Sequence, residues 1–199
     1  MCRLVESVRV SNGAALNAEY HLERMNRSRR ELFGARGDID PLSSLAIPEE
    51  YRAGIVKCRL LYRAELEAVE FHHYRVRPAG SVRLVYDDTV DYTYKYEDRA
   101  ALDRLFGMRG ECDEIIIVRR GVLTDASSAN IVLDDGSRLI TPDTPLLRGT
   151  MRARLLDRGI IAEGRITPDD LRSFARVHFI NAFADIGDRT AEIDRIVMG

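Results

Sequence analysis

Lysine is scarce in this sequence. Of 30 lysine and arginine residues, the only lysines are Lys57 and Lys95. Arginine keeps its proton in proteins, whereas lysine can become a neutral amine and attack a carbonyl group. A lysine that persists in such a chain is there either by chance or because its chemistry is required. Lys95 lies in a stretch rich in tyrosine and aspartate, residues 90–98, and we examine it as a candidate nucleophile.

Other absences exclude whole classes of protein. No apolar run approaches the roughly 20 residues of a membrane span, and the first residues lack the apolar core of a signal peptide. The three cysteines, Cys2, Cys58 and Cys112, are widely spaced and predict neither a disulfide framework nor a metal site. A net charge of −2, with arginines scattered among acids, argues against nucleic acid as a partner. We therefore expect a cytoplasmic protein that acts on a small molecule.

The 199 residues, 45% of them apolar, suffice for one large domain or two small ones. Hydrophobic periodicity, turn signals and helix-stop glycines predict an α/β chain. The predicted strands are Leu4–Val10, Ile55–Tyr62, Leu66–Val76, Val82–Tyr86, Ile115–Val118, Ile131–Leu133, Arg138–Ile140 and Val177–Ala182. The predicted helices are Asn17–Phe33, Asp98–Phe106, one from Thr150 to Gly159 and a short one opening at Thr167. Near residues 90–96 the predicted pattern changes from consecutive strands to a mixture of helices and strands. This change predicts domains 1–93 and 94–199 with Lys95 at the boundary.

Three further features could form a site with Lys95. Asp125 is a single carboxylate among small residues that we expect to link two strands, and it could pair with a protonated ring nitrogen. Thr141 ends a predicted strand, and Gly149 opens a helix whose first amides suit a phosphate. Arg24 lies on the first predicted helix. Each feature also has a structural reading: Asp125 as a turn residue, Gly149 as an ordinary helix start, Arg24 as part of a solvated helix face.

A nucleophilic amine, a partner for a pyridine nitrogen and a phosphate site are together what pyridoxal 5′-phosphate (PLP) requires. At this point the sequence resembles the class IV aminotransferases. These are the fold-type IV PLP enzymes, which include branched-chain and D-amino-acid aminotransferases and 4-amino-4-deoxychorismate lyase. The resemblance spans nearly the whole chain and is carried by Glu6-Ser7-Val8-Arg9-Val10, His21-x-x-Arg24, Lys95-x-x-x-Arg99, Asp125, Asn130, Thr141-Pro142, Gly149-Thr150-Met151-Arg152 and Asn181-Ala182.

The resemblance implies a two-domain α/β fold of the D-amino-acid aminotransferase type, with the cofactor in a cleft between the domains, and a homodimer. It implies that Lys95 forms a Schiff base with PLP and moves the substrate proton, and that Asp125 faces the pyridine nitrogen. Arg59 is similar in position to an arginine that binds the substrate carboxylate in some relatives. The remaining implied cofactor-binding residues are Arg24, Asn130, Thr141, Gly149, Thr150 and Met151.

Two departures from the family pattern keep three functions open. The family usually has glutamate at the position of Asp125, and this chain resembles a short member that lacks the N-terminal hairpin. The expected function is a PLP-dependent aminotransferase acting on a small amino acid. One alternative is a 4-amino-4-deoxychorismate lyase that releases pyruvate in 4-aminobenzoate synthesis, a branch that Lys95-x-x-x-Arg99 resembles. The other alternative is a PLP-binding protein without turnover.

Overall fold

A computed structural model of the chain describes residues 2–198. The chain forms two compact units. The first unit is the chain up to Val76 together with the short segment Tyr94–Asp98. The second unit is Arg77–Thr93 together with the chain from Arg99 onward. Lys95 therefore belongs to the first unit, although the residues on both sides of its segment belong to the second.

The first unit is an antiparallel sheet with one long helix. The sheet order is β2-β1-β3-β4, and the helix α1 follows β2 in the chain. The turn between β1 and β2 is Asn12-Gly13, and both residues have positive φ, as a two-residue hairpin turn requires. The elements are β1 (Leu4–Ser11), β2 (Ala14–Ala15), α1 (Ala18–Phe33), β3 (Ile55–Tyr62) and β4 (Leu66–His73).

Alternation along the strands decides which side chains form the core of this unit. Leu4 and Val8 on β1 and Leu60 on β3 are fully buried, and they pack in one cluster with Met25 from α1. A period of two on the strands brings these residues to the same face of the sheet. The same face carries Glu6, the residue between Leu4 and Val8 in that alternation, and Glu6 is 0% exposed.

The second unit is built on a larger sheet, in the order β10-β9-β8-β7-β6-β5-β13, with β11 paired to β8 and β12 paired to β11. Its core includes Leu84, Ile116, Ile131 and Phe179, all buried. Its strands and helices are β5 (Val82–Tyr86), α2 (Ala100–Gly107), β6 (Glu114–Arg119), β7 (Val122–Ala126), β8 (Asn130–Asp134), β9 (Leu139–Pro142), α3 (Thr150–Asp157), β10 (Ala162–Gly164), β11 (Arg176–Ile180), β12 (Thr190–Glu192) and β13 (Ile196–Val197).

The elements confirm the predicted α/β class, and most predicted strands and helices are present with shifted ends. The prediction that Asp125 lies in a link between strands was wrong, because Asp125 lies within β7. All five residues of β7 are buried, including the polar Thr124, whose Oγ1 donates to the backbone oxygen of Ile117 at 3.0 Å. The short helix at Thr167 is a 3-10 helix, Pro168–Ser173, and Thr167 and Asp170 form a capping box there. No helix within residues 2–198 has the length and apolar composition needed to cross a membrane.

Candidate functional site

The backbone around Lys95 is held in place along the edge of β1. The carbonyl of Lys95 accepts a hydrogen bond from the Val5 N–H at 3.0 Å, and the Glu97 N–H donates to the Arg3 carbonyl at 2.9 Å. The Tyr96 N–H donates to the Tyr94 carbonyl at 2.9 Å, which makes a three-residue turn centred on Lys95. Lys95 thus occupies the apex of a tight turn that is fixed to a central strand.

A buried cluster of three polar side chains joins β1 to α1 in the same unit. The Glu6 carboxylate accepts from Arg24 through Nε at 2.9 Å and Nη2 at 2.5 Å, and its Oε2 atom lies 2.7 Å from His21 Nδ1. His21 and Arg24 are three residues apart on α1, so both face the sheet. Arg24 is 5% exposed, which contradicts the reading of this arginine as part of a solvated helix face.

The charges of this cluster are fixed near neutral pH. Burial opposes ionisation of Glu6, but the charge of Arg24 and the hydrogen bonds from His21 and Arg24 outweigh it and lower the pKa of Glu6 to about 2. Burial lowers the pKa of His21, and the positive charges of Arg24 and Lys95 act in the same direction against the effect of Glu6. The cluster therefore contains a carboxylate, a guanidinium and a neutral imidazole. Because His21 Nδ1 lies against a carboxylate, the neutral ring carries its proton on that nitrogen.

Arg59, the candidate substrate-binding arginine, lies on β3 in this unit and is paired with acids. Its Nη1 donates to Glu70 at 2.6 Å, and its Nη2 lies 3.8 Å from Glu97. Glu97 also accepts two hydrogen bonds from Arg3, at 2.6 and 2.9 Å. Arg59 is thus part of a chain of alternating charges, and a substrate carboxylate would have to compete with Glu70 and Glu97 for it.

In the second unit, Asp125 is the centre of the candidate site. It pairs with Asn130 across the β7–β8 hairpin, which explains the spacing of five residues in the sequence motif. Asn130 Nδ2 donates to Asp125 Oδ1 at 2.7 Å, and the Leu147 N–H donates to Asp125 Oδ2 at 2.9 Å. Asn130 Nδ2 also donates to the Leu147 carbonyl at 2.8 Å. The carboxylate and the loop before α3 are therefore fixed to each other.

Gly149 is required by this arrangement. A Cβ atom at position 149 would lie 2.0 Å from Asn130 Oδ1, so any other residue would displace the asparagine amide. Gly149 precedes α3 in an extended conformation, and the first amides of a helix have no acceptor within the helix. Met151 follows in the first turn and is buried. Three predicted site residues, Asp125, Asn130 and Gly149, are thus in direct structural contact.

The electrostatic state of Asp125 fits a cationic partner. It is 5% exposed, and none of the ion pairs within residues 2–198 includes it. Burial raises its pKa to about 6, although the Leu147 N–H, Asn130 and the charge of Arg152 act in the opposite direction. Each carboxylate oxygen has two lone pairs and can accept a further hydrogen bond. A cation such as a protonated pyridine nitrogen would offset the cost of this buried charge, so Asp125 fits the ring of PLP.

The two threonines of this unit that are predicted to bind the phosphate differ in their surroundings. Thr150 begins α3 and is buried. Thr141 is 0% exposed, and its hydroxyl donates to the Ile131 carbonyl at 2.8 Å. A hydroxyl has one proton to donate. Thr141 would therefore have to give up the bond to Ile131 in order to donate to a phosphate.

Sequence reasoning did not predict the contacts that hold the loop after Asp125. The Ser127 carbonyl accepts from Arg99 Nη2 at 2.9 Å, and the Ser127 N–H donates to Glu114 Oε1 at 3.3 Å. Glu114 is itself buried and paired with Arg189 at 3.1 Å. The sequence singled out Arg99 by its spacing from Lys95, and the structure gives this arginine a positioning contact. One signal could have revealed Glu6, which interrupts the apolar alternation of Leu4, Val8 and Val10 on β1. Glu114 stands at the first position of β6 and has no such signal.

Comparison with known proteins was consistent with these motifs. The family model described as Amino-transferase class IV matches residues 93–188. An uncharacterized protein from Haemophilus influenzae is 35% identical over 184 residues, which cover 92% of this chain and 98% of that protein. A solved structure of a candidate 4-amino-4-deoxychorismate lyase from Haemophilus somnus is similar with a TM-score of 0.82 and 30% identity, covering 92% of this chain and 97% of the other.

A more distant solved structure has the same fold. The PLP-bound form of a hypothetical aminotransferase from Mycobacterium tuberculosis is similar with a TM-score of 0.71 and 18% identity, covering 98% of this chain and 81% of the other. The motif around Asp125, Asn130 and Gly149 lies within the part of the chain that the family model matches. Motifs, fold and similarity over nearly the full length agree, and the chain belongs to the class IV aminotransferase family, the fold-type IV enzymes that depend on PLP.

Proposed function

We propose that this protein is a PLP-dependent aminotransferase that acts on a small amino acid. The observation that carries the proposal is Asp125, a buried carboxylate with a raised pKa that is held by neutral donors and fits a protonated ring nitrogen. When bound, PLP withdraws electrons from the α-carbon of its substrate through its protonated ring. An acid that keeps the ring nitrogen protonated is therefore what this chemistry requires.

The proposed roles follow from the residue types. Lys95 Nζ would hold the cofactor covalently at its aldehyde carbon, and once the substrate amine has displaced it there, the freed lysine amine would move the proton of the substrate Cα. Asp125 holds the proton on the ring nitrogen, and Asn130 orients Asp125 through its side-chain amide. The phosphate is bound by Arg24, Thr141 and the amides of Thr150 and Met151, and Gly149 lets the chain approach Asn130. Arg59 remains the candidate for the substrate carboxylate, in exchange with its acidic partners.

A lyase that releases pyruvate from 4-amino-4-deoxychorismate is the second candidate. It is favoured by the name of the Haemophilus somnus relative, which is 30% identical over nearly the whole of both chains. The spacing of Lys95 and Arg99 is weaker support, because Arg99 already has a role in holding Ser127. Both candidate enzymes use the same cofactor residues and differ in what happens after the Cα proton is removed.

Incubation of the cofactor-loaded protein with amino acids distinguishes the candidates. Conversion of the bound cofactor to its pyridoxamine form, followed by absorbance, supports transamination. Release of pyruvate from 4-amino-4-deoxychorismate, measured with a coupled dehydrogenase, supports the lyase. If the protein binds PLP but neither reaction occurs across a panel of small L- and D-amino acids, the proposed aminotransferase activity is wrong, and a PLP-binding protein without turnover is the remaining reading.

A further inference from the structure

The Glu6 carboxylate accepts more hydrogen bonds than an uncharged side chain of the same shape could accept. Three donor atoms converge on it: Arg24 Nε on Oε1, and Arg24 Nη2 together with His21 Nδ1 on Oε2. Both oxygens are therefore used, and one of them accepts twice. The side chain is 0% exposed and lies on β1, where Glu6 pairs with Leu60 of β3. Close packing and shared hydrogen bonds hold such a buried side chain in one position.

This contact fixes the direction of the Arg24 guanidinium. The group is planar and rigid, with five N–H donors. Glu6 engages the side that carries Nε and Nη2, so the end of the group that carries Nη1 and Nη2 faces away from Glu6. In any guanidinium this end carries two parallel N–H bonds, the geometry that binds a carboxylate or a phosphate with two hydrogen bonds. Glu6 thus determines where an anion can be bound by Arg24.

The charge balance of the cluster also favours an anion. Glu6 and Arg24 cancel each other, and His21 is neutral near pH 7 because burial lowers its pKa. The Lys95 charge lowers the pKa of His21 in the same unit, so a positive charge besides that of Arg24 acts on the cluster.

We propose that Glu6 is a positioning residue, which holds the Arg24 guanidinium in the orientation that binds the phosphate of the cofactor. The proposal rests on the function proposed above, in which Arg24 is a phosphate ligand. It adds Glu6, which the sequence motifs did not assign, and it assigns the buried cluster to phosphate affinity. Glu6 touches neither the ring nor the aldehyde of the cofactor in this proposal, so its effect should depend on the phosphate group alone.

The test compares two ligands of the apo-protein, PLP and pyridoxal, which differ by the phosphate. Glu6→Gln leaves one acceptor oxygen for three donors and places an amide NH₂ against Arg24 or His21. We expect the Kd for PLP to rise at least about tenfold, about 1.4 kcal/mol, because the guanidinium loses its fixed direction. The Kd for pyridoxal should change by less than about threefold, well under the cost of one charged hydrogen bond. Titration followed by cofactor absorbance measures both constants without reference to turnover.

Glu114→Gln is the matched control. Glu114 is also a buried glutamate on a strand, paired with Arg189, and its replacement disturbs a buried ion pair of the same kind. This variant should change the two Kd values by a common factor. If Glu6→Gln also weakens both ligands equally, Glu6 has a general structural role and the proposal is wrong. If wild-type protein binds PLP covalently but no more tightly than pyridoxal, Arg24 does not bind the phosphate, and this inference fails while the covalent role of Lys95 stands.

A second variant covers the case in which Glu6→Gln does not fold. Glu6→Asp keeps the negative charge and withdraws the carboxylate by one methylene, so that it cannot reach both Arg24 and His21 in the same geometry. We expect a selective loss of PLP affinity here too, smaller than for Glu6→Gln, with circular dichroism like that of wild type. Unchanged PLP affinity in folded Glu6→Asp would overturn the proposal, because the position of Arg24 would then not depend on the reach of Glu6.

Discussion

Replacing Asp125 with asparagine removes one buried charge and keeps the shape of the side chain. The carboxylate accepts from Asn130 Nδ2 on one oxygen and from the Leu147 N–H on the other. Asparagine supplies one acceptor oxygen and turns an NH₂ group toward the second donor. Asn130 cannot resolve this by rotating its amide without losing its bond to the Leu147 carbonyl. We expect the variant to fold and to bind PLP through Lys95 and Arg24, but with a less favourable partner for the ring nitrogen.

The magnitude follows from the pKa of Asp125, which burial raises from 3.8 to about 6. A shift of this size corresponds to about 3 kcal/mol against the ionised form. A protonated ring nitrogen beside the carboxylate recovers part of that free energy, and half of it already equals about a tenfold change in rate. We therefore predict that Asp125→Asn slows conversion of the cofactor to its pyridoxamine form at least about tenfold in a single turnover.

The rate difference between wild type and Asp125→Asn should depend on pH. Because the pKa of Asp125 is about 6 in the folded protein, the carboxylate is ionised above pH 6 and becomes protonated below it. In the loaded enzyme the pyridinium lowers this pKa, so the advantage of wild type over Asp125→Asn should be full above pH 6 and should be lost only at a lower pH, where the carboxylate becomes protonated. Stopped-flow absorbance with an amino acid that the wild type accepts measures both rates, at equal cofactor occupancy. Equal rates at pH 8 would remove Asp125 from the reaction and refute this reasoning.

Three other predictions concern structure. Gly149→Ala should lower both the melting temperature and the PLP affinity, because its Cβ would lie 2.0 Å from Asn130 Oδ1; Gly107→Ala, whose Cβ would meet nothing within 4 Å, is the control and should change neither. In urea unfolding of apo-protein, wild type should lose up to about 3 kcal/mol relative to Asp125→Asn between pH 4 and pH 7. The stability due to a raised pKa is present at pH 4 and is lost as the pH rises through 6, and a constant difference would contradict the raised pKa of Asp125. By analogy with the family we also predict a homodimer, which a monomeric mass in light scattering at micromolar concentration, with cofactor bound, would refute.

Local sequence patterns were sufficient where one face of an element is apolar. α1 ends at Phe33, as Gly34 predicted, and Gly34 has the positive φ of a helix C-cap. β3 has the predicted bounds, Ile55–Tyr62, because it is rich in β-branched and apolar residues. β7 was missed because its first two residues, the apolar Val122 and Leu123, are followed directly by Thr124 and Asp125, residues typical of a turn. The burial of Thr124 depends on a partner on the neighbouring strand β6, the Ile117 carbonyl.

In the candidate site, too, some residues were identified from the sequence and others were not. The resemblance to the family motif placed Asp125 and Asn130 in one site, and in the structure the hairpin makes these residues direct neighbours. The role of Glu6 was missed because it depends on His21 and Arg24, which are more than a dozen residues away and on another element. The alternation of β1 indicates that Glu6 is buried, but no local pattern identifies its partners. Glu114 on β6, which accepts a hydrogen bond from the Ser127 N–H, was missed because its partner also lies more than a dozen residues away.

The central claim is that Lys95 carries the cofactor, and the chain offers a direct test because it has one other lysine. Lys57 lies on β3, with its Nζ 5.2 Å from the centre of the Tyr74 ring. The purified protein is incubated with PLP, reduced with borohydride, digested and mapped by mass spectrometry. The account predicts a pyridoxyl group on the peptide that contains Lys95 and an unmodified Lys57 peptide. A label on Lys57, or no label on either lysine, would contradict it.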